Sequence, residues 1–199
     1  MGRDVDARRI IDLALGPLAL AVALPILAGA ALAMRVSGDR GPFLHRAPRM
    51  GAGGRTFLIL KVRTMKYATH GPPITVAGDR RITFVGRALR HFRIDELPQI
   101  VNVLRGEMSL VGPRPEDPGY VVMSDPVHRR VFTARPGITG PSQLTFRDEA
   151  ELLAGPDPER VYREEILPAK VRLDDEYLAT RSLLGDLRII ARTARTAIR

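Results

Sequence analysis

Apolar positions divide the chain unevenly. Leu13 to Met34 form a run of 22 residues without a charge, preceded by Arg8, Arg9 and Asp12 and followed by Arg35, Asp39 and Arg40. As a straight helix this run reaches about 33 Å, close to the hydrocarbon thickness of a bilayer. It is long for the apolar region of a signal peptide and ends in no clear small-residue cleavage site. Pro17 and Pro25 interrupt it, each removing a backbone donor. The arm Leu13–Leu24 spans roughly 18 Å and the arm Ile26–Met34 roughly 14 Å, so neither crosses a bilayer alone. A sharp bend at Pro25 gives a re-entrant hairpin that enters and leaves by one face, and basic residues on both flanks favour cytoplasmic ends. The alternatives are a spanning helix with a mild kink and, less favoured by the pattern, a buried helix of a soluble protein. In both membrane geometries the basic remainder of the chain faces the cytoplasm.

The rest of the chain alternates short periodic segments with Pro/Gly loops. Phe43–Arg46 and Thr56–Thr64 read as strands of a β-hairpin joined by the Gly-rich turn Met50–Gly54. Period two puts Lys61 and Arg63 on one face with Phe57 and Ile59, either an anion site or a solvated face. Lys66–Gly78 reads as a loop containing Gly71-Pro72-Pro73, and Thr83–Phe92 as a helix. Asp95-Glu96-Leu97-Pro98 opens a helix that runs to about Leu104, with Gly106 as its stop. Met108–Val111 leads into the stiff loop Gly112-Pro113-Arg114-Pro115. A helix over Pro118–Arg130 precedes a second stiff loop, Arg135–Pro141. Arg160–Thr180 reads as a helix interrupted by Pro168. Leu184–Arg199 is amphipathic: Leu187, Ile190, Ala191, Ala194 and Ile198 recur at helical spacing beside Arg188, Arg192, Arg195 and Arg199. Such a helix suits an anionic headgroup layer, or packs on the core with a solvated basic face. The predicted class is α+β, mainly helical, with a membrane-inserted segment over 1–40 and a cytoplasmic body over 41–199.

Composition narrows the chemistry. The chain has 199 residues and a net charge of +9, with no Cys and no Trp. Disulfides, thiolate metal sites and a Cys nucleophile are excluded. Basicity calls for an anionic partner: nucleic acid, anionic lipid or a phosphorylated substrate. With 5% aromatic residues and no recognisable nucleic-acid motif, nucleic acid is the poorest of these fits. The histidines are scattered, and neither a Walker A loop nor a dinucleotide fingerprint is present. What remains is an acid pair among arginines. Asp95 and Glu96 follow Arg87, Arg90 and Arg93, while Arg114 and Arg135 sit downstream on proline-stiffened loops. Two neighbouring carboxylates with several guanidinium groups fit phosphoryl chemistry, one acid holding Mg²⁺ and the other attacking phosphorus. A purely structural reading competes: Asp95 as an N-cap, Glu96 on the helix dipole and Pro98 in the first turn.

Ile94-Asp95-Glu96-Leu97-Pro98-Gln99, followed by Asn102-Val103-Leu104-Arg105-Gly106-Glu107-Met108-Ser109-Leu110-Val111-Gly112-Pro113-Arg114-Pro115, resembles the signature of the bacterial sugar transferases, the monotopic phosphoglycosyl transferases. Lys61–Met65, Arg135–Gly140 and Leu173-Asp174 with Tyr177 resemble further motifs of that family. The resemblance implies a re-entrant membrane helix bent at Pro25 and a small α+β body with surface-lying helices. It implies transfer of a phosphosugar from a nucleoside diphosphate sugar, usually a UDP-sugar, to undecaprenyl phosphate at the cytoplasmic face of the bacterial inner membrane. Asp95 is then the nucleophile that expels UMP and Glu96 a Mg²⁺ ligand. Substrate contacts are expected from Lys61, Arg63, Arg90, Arg114, Pro115, Arg135, Thr139, Gly140, Arg147 and Asp174. Expected partners are the UDP-sugar, undecaprenyl phosphate and the anionic bilayer, with downstream glycosyltransferases or a second copy as further candidates, and no nucleic acid. Leu24 stands before Pro25 where family members often carry Ser. The competing function is a non-catalytic module that uses the same arginines to hold anionic lipid or a partner.

Overall fold

The computed structural model describes residues 2–69, 71 and 74–197, with side chains described for 7–69, 71 and 74–196. His70, Pro72, Pro73, Ile198 and Arg199 of the sequence reading lie outside the described residues.

Helix α1 (Gly2–Val36) carries the apolar run, and its helical hydrogen bonding continues through Pro17 and Pro25 without an intervening loop. It is the one helix among the described residues long and apolar enough to cross a membrane. Only 17% of its most apolar window is buried, whereas a soluble core helix would be mostly covered. A narrow stripe of Asp12, Gly16, Ala23, Ala30 and Met34 is buried, while Leu18, Val22, Leu24, Ile26 and Leu32 are exposed. Both arms meet the body. Gly16 lies so close to Leu104 that an added Cβ would crowd it. Beyond Pro25, Leu27, Ala30 and Met34 join a cluster with Val62 and Leu89.

The hairpin is longer on its first strand than the hydrophobic pattern indicates. β1 (Leu44–Met50) pairs antiparallel with β2 (Thr56–Val62) over seven residues, Leu44 opposite Val62 and Met50 opposite Thr56. Pro48 in β1 is tolerated because the sheet has only two strands, leaving an unpaired edge. Helix α2 (Phe84–His91) is capped by Thr83, whose hydroxyl accepts a hydrogen bond from the Gly86 amide at 2.8 Å. Gly86 must be glycine here, since a Cβ would overlap the Thr64 carbonyl and push α2 off the end of β2.

After α2 comes a short 3₁₀ turn, Ile94–Glu96, and then α3 (Gln99–Arg105), which ends on Gly106 in the left-handed region at φ 82°. The segments read from sequence as an apolar stretch and a stiff loop instead form a second small sheet. β3 (Ser109–Val111) and β4 (Gly137–Thr139) pair in parallel, Ser109 with Gly137 and Val111 with Thr139. Between them lies α4 (Pro126–Thr133), capped by Asp125, so the expected single helix over Pro118–Arg130 is a 3₁₀ turn at Pro118–Tyr120 and then this helix. Short helices α5 (Pro141–Thr145), α6 (Glu149–Leu152) and α7 (Pro158–Val161) follow. A π turn at Tyr162–Ile166 joins α7 to α8 (Leu167–Thr180) on continuously helical backbone, so Pro168, two residues past the π turn, distorts this helix locally instead of ending it.

Helix α9 (Leu183–Ala197) differs from the expected amphipathic orientation. Asp186 is buried and Ile189, Ile190 and Thr193 are half-buried against the body. Leu184 and Leu187, at 58% and 50% exposure, face outward with Ala191, Ala194 and the arginines Arg188, Arg192 and Arg195. Apolar and basic residues therefore share the outer surface.

Candidate active site

The acid pair is placed by a break in the chain. Arg93 has φ 55° and ψ 22°, a left-handed conformation uncommon for a non-glycine residue, which stops α2 and turns the next residues inward. Asp95 and Glu96 lie in the 3₁₀ turn rather than at the start of α3, whose N-cap position is Pro98 without a side-chain hydrogen bond. The N-cap role that competes for Asp95 in the sequence is thus not the one it holds. Asn102, fully buried on α3, fixes this unit to β2. Its side-chain oxygen accepts from the Leu60 amide at 3.0 Å and its amide nitrogen donates to the Leu58 carbonyl at 2.9 Å. Lys61 on β2 is thereby brought to the pair, its ammonium donating to Glu96 Oε1 at 3.1 Å, with Arg93 Nη1 4.0 Å from Oε2. Arg90 stands beside them, its Nε donating to the Thr64 hydroxyl at 2.8 Å.

These surroundings split the two acids. Burial, and then the charge of Glu96, push Asp95 upward to about 6 against the opposing pull of Lys61, Arg90 and Arg93. Burial also raises Glu96, but Lys61, Arg93 and Arg114 together outweigh it and hold Glu96 below the usual carboxylate range. Glu96 therefore stays ionised while Asp95 titrates just below neutrality. If the Asp95 carboxylate is the reacting species, kcat/KM falls as pH drops through about 6, approaching tenfold per pH unit on the acid side. A pH profile on the wild-type chain reads this. A flat acid limb down to pH 5 would place the reacting group elsewhere.

The opposite wall is built from the two Pro/Gly loops, which the β3–β4 pairing locks together. The Gly112 amide donates to the Thr139 carbonyl at 3.0 Å and the Gly137 amide to the Pro113 carbonyl at 2.8 Å. Gly112 and Gly137 approach so closely that a Cβ on Gly137 would strike the Gly112 backbone. Arg114 emerges from this unit. Its amide donates to Asp174 Oδ2 at 3.0 Å, and the same oxygen accepts from the Ser142 hydroxyl at 2.9 Å. Its guanidinium Nε lies 3.6 Å from Glu116 Oε1. Behind Glu116 is a buried polar cluster in which the Tyr162 hydroxyl donates to Glu116 Oε2 at 2.6 Å and the Lys170 ammonium pairs with Glu116 and Glu149.

Between the walls runs a cleft of about 510 Å³, with Asp95 and Glu96 in its floor. Of the sequence-derived candidates, Lys61, Arg63, Arg90, Arg114, Pro115 and Arg147 line it together with the acid pair. Arg63 is nevertheless committed elsewhere. It donates through Nε to the Pro42 carbonyl, through Nη1 to the Met65 carbonyl and through Nη2 to Asp39, so it ties the segment after α1 to the sheet. Arg135, Thr139, Gly140 and Asp174 are not in the lining. Thr139 shares a hydrogen bond with Thr193 of α9, and Gly140 lets the chain pass the Gly112 carbonyl, where a Cβ would not fit. Asp174 acts from behind, on the Arg114 backbone. Burial pushes its carboxyl up to about 6, against the amide of Arg114 and the hydroxyl and amide of Ser142, which hold it down.

Sequence reasoning passed over His45, Arg49, Gln99, Tyr120 and Phe146, which also line the cleft. Gln99 closes the Ile94–Gln99 motif and was within reach there; the others are single polar or aromatic residues outside the quoted motifs. For a metal, the pair offers hard oxygen donors, with Glu96 held ionised. Among the described residues no group of three or more His, Cys, Asp or Glu side chains comes together as a closed metal cage. Mg²⁺ commonly takes one or two carboxylates and completes its shell with substrate phosphate oxygens and water, so this donor set fits it.

An acid pair and several arginines lining one cleft of about 510 Å³ suit phosphorylated substrates, and the chain's relatives agree with that class. The bacterial sugar transferase family model matches residues 4–199, and the chain belongs to this family of transferases. It is 42% identical over 196 residues to a UDP-glucose:undecaprenyl-phosphate glucose-1-phosphate transferase of Caulobacter vibrioides, covering 95% of this chain and 69% of that protein. It is 34% identical over 196 residues to a UDP-N-acetylgalactosamine-undecaprenyl-phosphate N-acetylgalactosaminephosphotransferase of Aeromonas hydrophila, covering 96% of this chain and 43% of the relative. The exopolysaccharide production protein ExoY of Sinorhizobium fredii is 30% identical over 204 residues, covering 94% of this chain and 83% of that protein.

Proposed function

We propose that this chain transfers a sugar 1-phosphate from a UDP-sugar to undecaprenyl phosphate by two displacements at one phosphorus. The observation that carries the reading is geometric: Asp95 and Glu96 lie side by side in the cleft, Glu96 paired with Lys61 and Arg93, with Arg90 and Arg114 lining the same cleft. In the first step a carboxylate oxygen of Asp95 bonds to the β-phosphorus, the bond from that phosphorus to the bridging oxygen breaks, and UMP leaves with the electron pair. In the second, a phosphate oxygen of undecaprenyl phosphate bonds to the same phosphorus and the Asp95 carboxylate departs. Undecaprenyl-diphosphate-sugar and the free enzyme result, with atoms and charge balanced. Arg114, on a loop with little conformational freedom to lose, is suited to hold the phosphoryl oxygens in both steps. Glu96, with Asp95 adjacent, would hold Mg²⁺, and the metal when bound would neutralise diphosphate charge. Two steps with a common nucleophile let one cleft serve two anionic substrates in turn.

The names of the relatives support both substrate classes. The test is a panel of UDP-sugars with undecaprenyl phosphate and the membrane fraction, with the lipid product identified by mass. The reading requires UMP release and a lipid product of matching mass, both lost on chelation and restored by Mg²⁺. Binding of anionic lipid without UMP release from any UDP-sugar would favour the non-catalytic module instead.

The same reading includes the membrane. Residues on both sides of Pro25 contact one body, so the two ends of α1 belong on the same face of the bilayer, the cytoplasmic one if the basic flanks follow the usual bias. The outward Leu184, Leu187 and arginine surface of α9 suits contact with anionic headgroups at that face. Cysteines introduced at Gly2 and Ser37 in this cysteine-free chain are expected to resist an impermeant reagent in intact cells and to react after lysis. Labelling of the Gly2 position alone in intact cells would establish a straight span and defeat the re-entrant geometry.

A further inference from the structure

The charged end of α1 is more than a flank to the apolar run. Asp12 is 3% exposed, although it stands one residue before 22 uncharged positions. Its Oδ1 accepts from the Ser109 hydroxyl at 3.1 Å and from the Leu110 amide at 2.9 Å, both on β3. Arg9, one turn earlier, donates through Nη1 to the Val103 carbonyl at 2.5 Å and through Nη2 to the Leu104 carbonyl at 2.8 Å. Those carbonyls lie at the C-terminal end of α3, where helical carbonyls run short of intrahelical partners, and that of Val103 also accepts from the Gly106 amide at 2.9 Å. Arg8 pairs with Asp186 of α9 at 2.8 Å, and Asp186 also accepts from the Tyr177 hydroxyl at 2.6 Å.

The two elements so gripped are the ones that carry the chemistry. α3 continues from the turn holding Asp95 and Glu96, and β3 runs directly into Gly112-Pro113-Arg114-Pro115. Sequence separation is large, 97 residues between Asp12 and Ser109 and 94 between Arg9 and Val103, so local folding cannot supply these contacts. A buried carboxylate is costly unless its oxygens are satisfied, and here one of them is satisfied by the very strand that aims Arg114.

We propose that the start of α1, leading into its first arm, is a positioning element for the cleft, with Asp12 setting the Arg114 loop and Arg9 anchoring the C-terminal end of α3, the helix that continues from the turn bearing the acid pair. The proposal rests on the phosphosugar-transfer reading, but its first readout does not. Neither residue lines the cleft, so both act through the elements they hold. Seating of the membrane arm and alignment of the two catalytic walls are then one event, and a chain whose first arm is unseated binds UDP-sugar without turning it over efficiently.

The test compares Asp12→Ala and Asp12→Asn in full-length protein in detergent. Hydrogen exchange is measured on peptides covering 109–115 and 56–62. In Asp12→Ala, exchange over 109–115 is expected to accelerate at least about tenfold while 56–62 is unchanged. kcat, counted per enzyme able to form an adduct, is expected to fall about 10- to 100-fold, with KM for the UDP-sugar changed less than about threefold, because a small misplacement costs orientation rather than ground-state binding. Asp12→Asn keeps an oxygen acceptor for Ser109 and Leu110 and is expected to recover both readouts to within about threefold. Unchanged exchange over 109–115, or equal loosening of both peptides, would overturn the proposal, as would Asn behaving like Ala. Should Asp12→Ala not be recovered from membranes, Ser109→Ala decides: it removes one of the two hydrogen bonds without leaving a charge-to-alanine change in α1. Local acceleration over 109–115 with a several-fold loss of kcat supports the clamp, and wild-type values in both overturn it. If wild-type protein turns over no UDP-sugar, the functional reading fails while the exchange result still judges the clamp.

Discussion

Asp95→Asn is expected to abolish turnover, by about 10³-fold or more, while leaving the fold intact or firmer. Asparagine matches aspartate in size but offers no anionic oxygen to attack phosphorus. Stability is expected to move the other way for an electrostatic reason. Burial and the neighbouring Glu96 raise Asp95 to about 6, above its unfolded value, so the ionised form is disfavoured in the folded state as pH rises through that value. A neutral side chain avoids that penalty, and no N-cap is lost because Asp95 does not cap α3. The unfolding midpoint of Asp95→Asn at pH 8 should therefore equal or exceed that of wild type. A clear fall in the midpoint together with residual turnover would mean that the carboxylate is a structural anchor for Lys61, Arg90 and Arg93 rather than the reacting group.

Arg114→Lys is expected to lower kcat/KM for the UDP-sugar by about 10²-fold despite the retained charge. The loop should survive, since its placement depends on the Arg114 backbone amide reaching Asp174 and on the β3–β4 pairing, not on the guanidinium. What lysine loses is the planar fork, one edge of which is already set against Glu116 at 3.6 Å. Glu116 is itself fixed by the Tyr162 hydroxyl and by Lys170, so the guanidinium is held from behind before any substrate arrives. Steady-state kinetics with circular dichroism as a folding check reads the effect. Wild-type kcat/KM in Arg114→Lys would show that a point charge suffices and that the fork has no part in phosphoryl binding.

How much of this was legible in the sequence depends on the range of the interaction. The hairpin, α2, α3, α8 and α9 follow from local periodicity and from caps such as Thr83 and Gly106, all written within a few residues. The acid pair and Arg114 were legible because their motif is contiguous, and the cleft collects them. The β3–β4 sheet was not legible: three-residue strands carry no alternation, and their pairing is set by glycines 112 and 137 meeting backbone to backbone. Arg63 looked like an anion ligand because period two places it beside Lys61, whereas its donors are taken by Asp39 and two carbonyls on neighbouring loops. Lys170 and Asp174 sit on α8 at 2% and 3% exposure, although the sequence offers Asp174 only as an expected substrate contact and gives Lys170 no role. Only their partners on distant segments, Glu116, Glu149, Arg114 and Ser142, explain that burial. Asp12 is the same case at the other end of the chain, a flank charge by pattern and a buried acceptor in the fold.

The central claim is that Asp95 carries the phosphosugar between the two substrates. Its most direct test is the intact mass of the protein after a brief pulse of UDP-sugar and Mg²⁺ without undecaprenyl phosphate, followed by peptide mapping. Wild type is expected to gain one sugar-phosphate mass on the peptide containing Asp95, to release one equivalent of UMP, and to lose the adduct when undecaprenyl phosphate is added; Asp95→Asn should gain nothing. An adduct of the same mass on Asp95→Asn, or product formation by wild type at full rate with UMP released only after the lipid acceptor is supplied, would contradict the account.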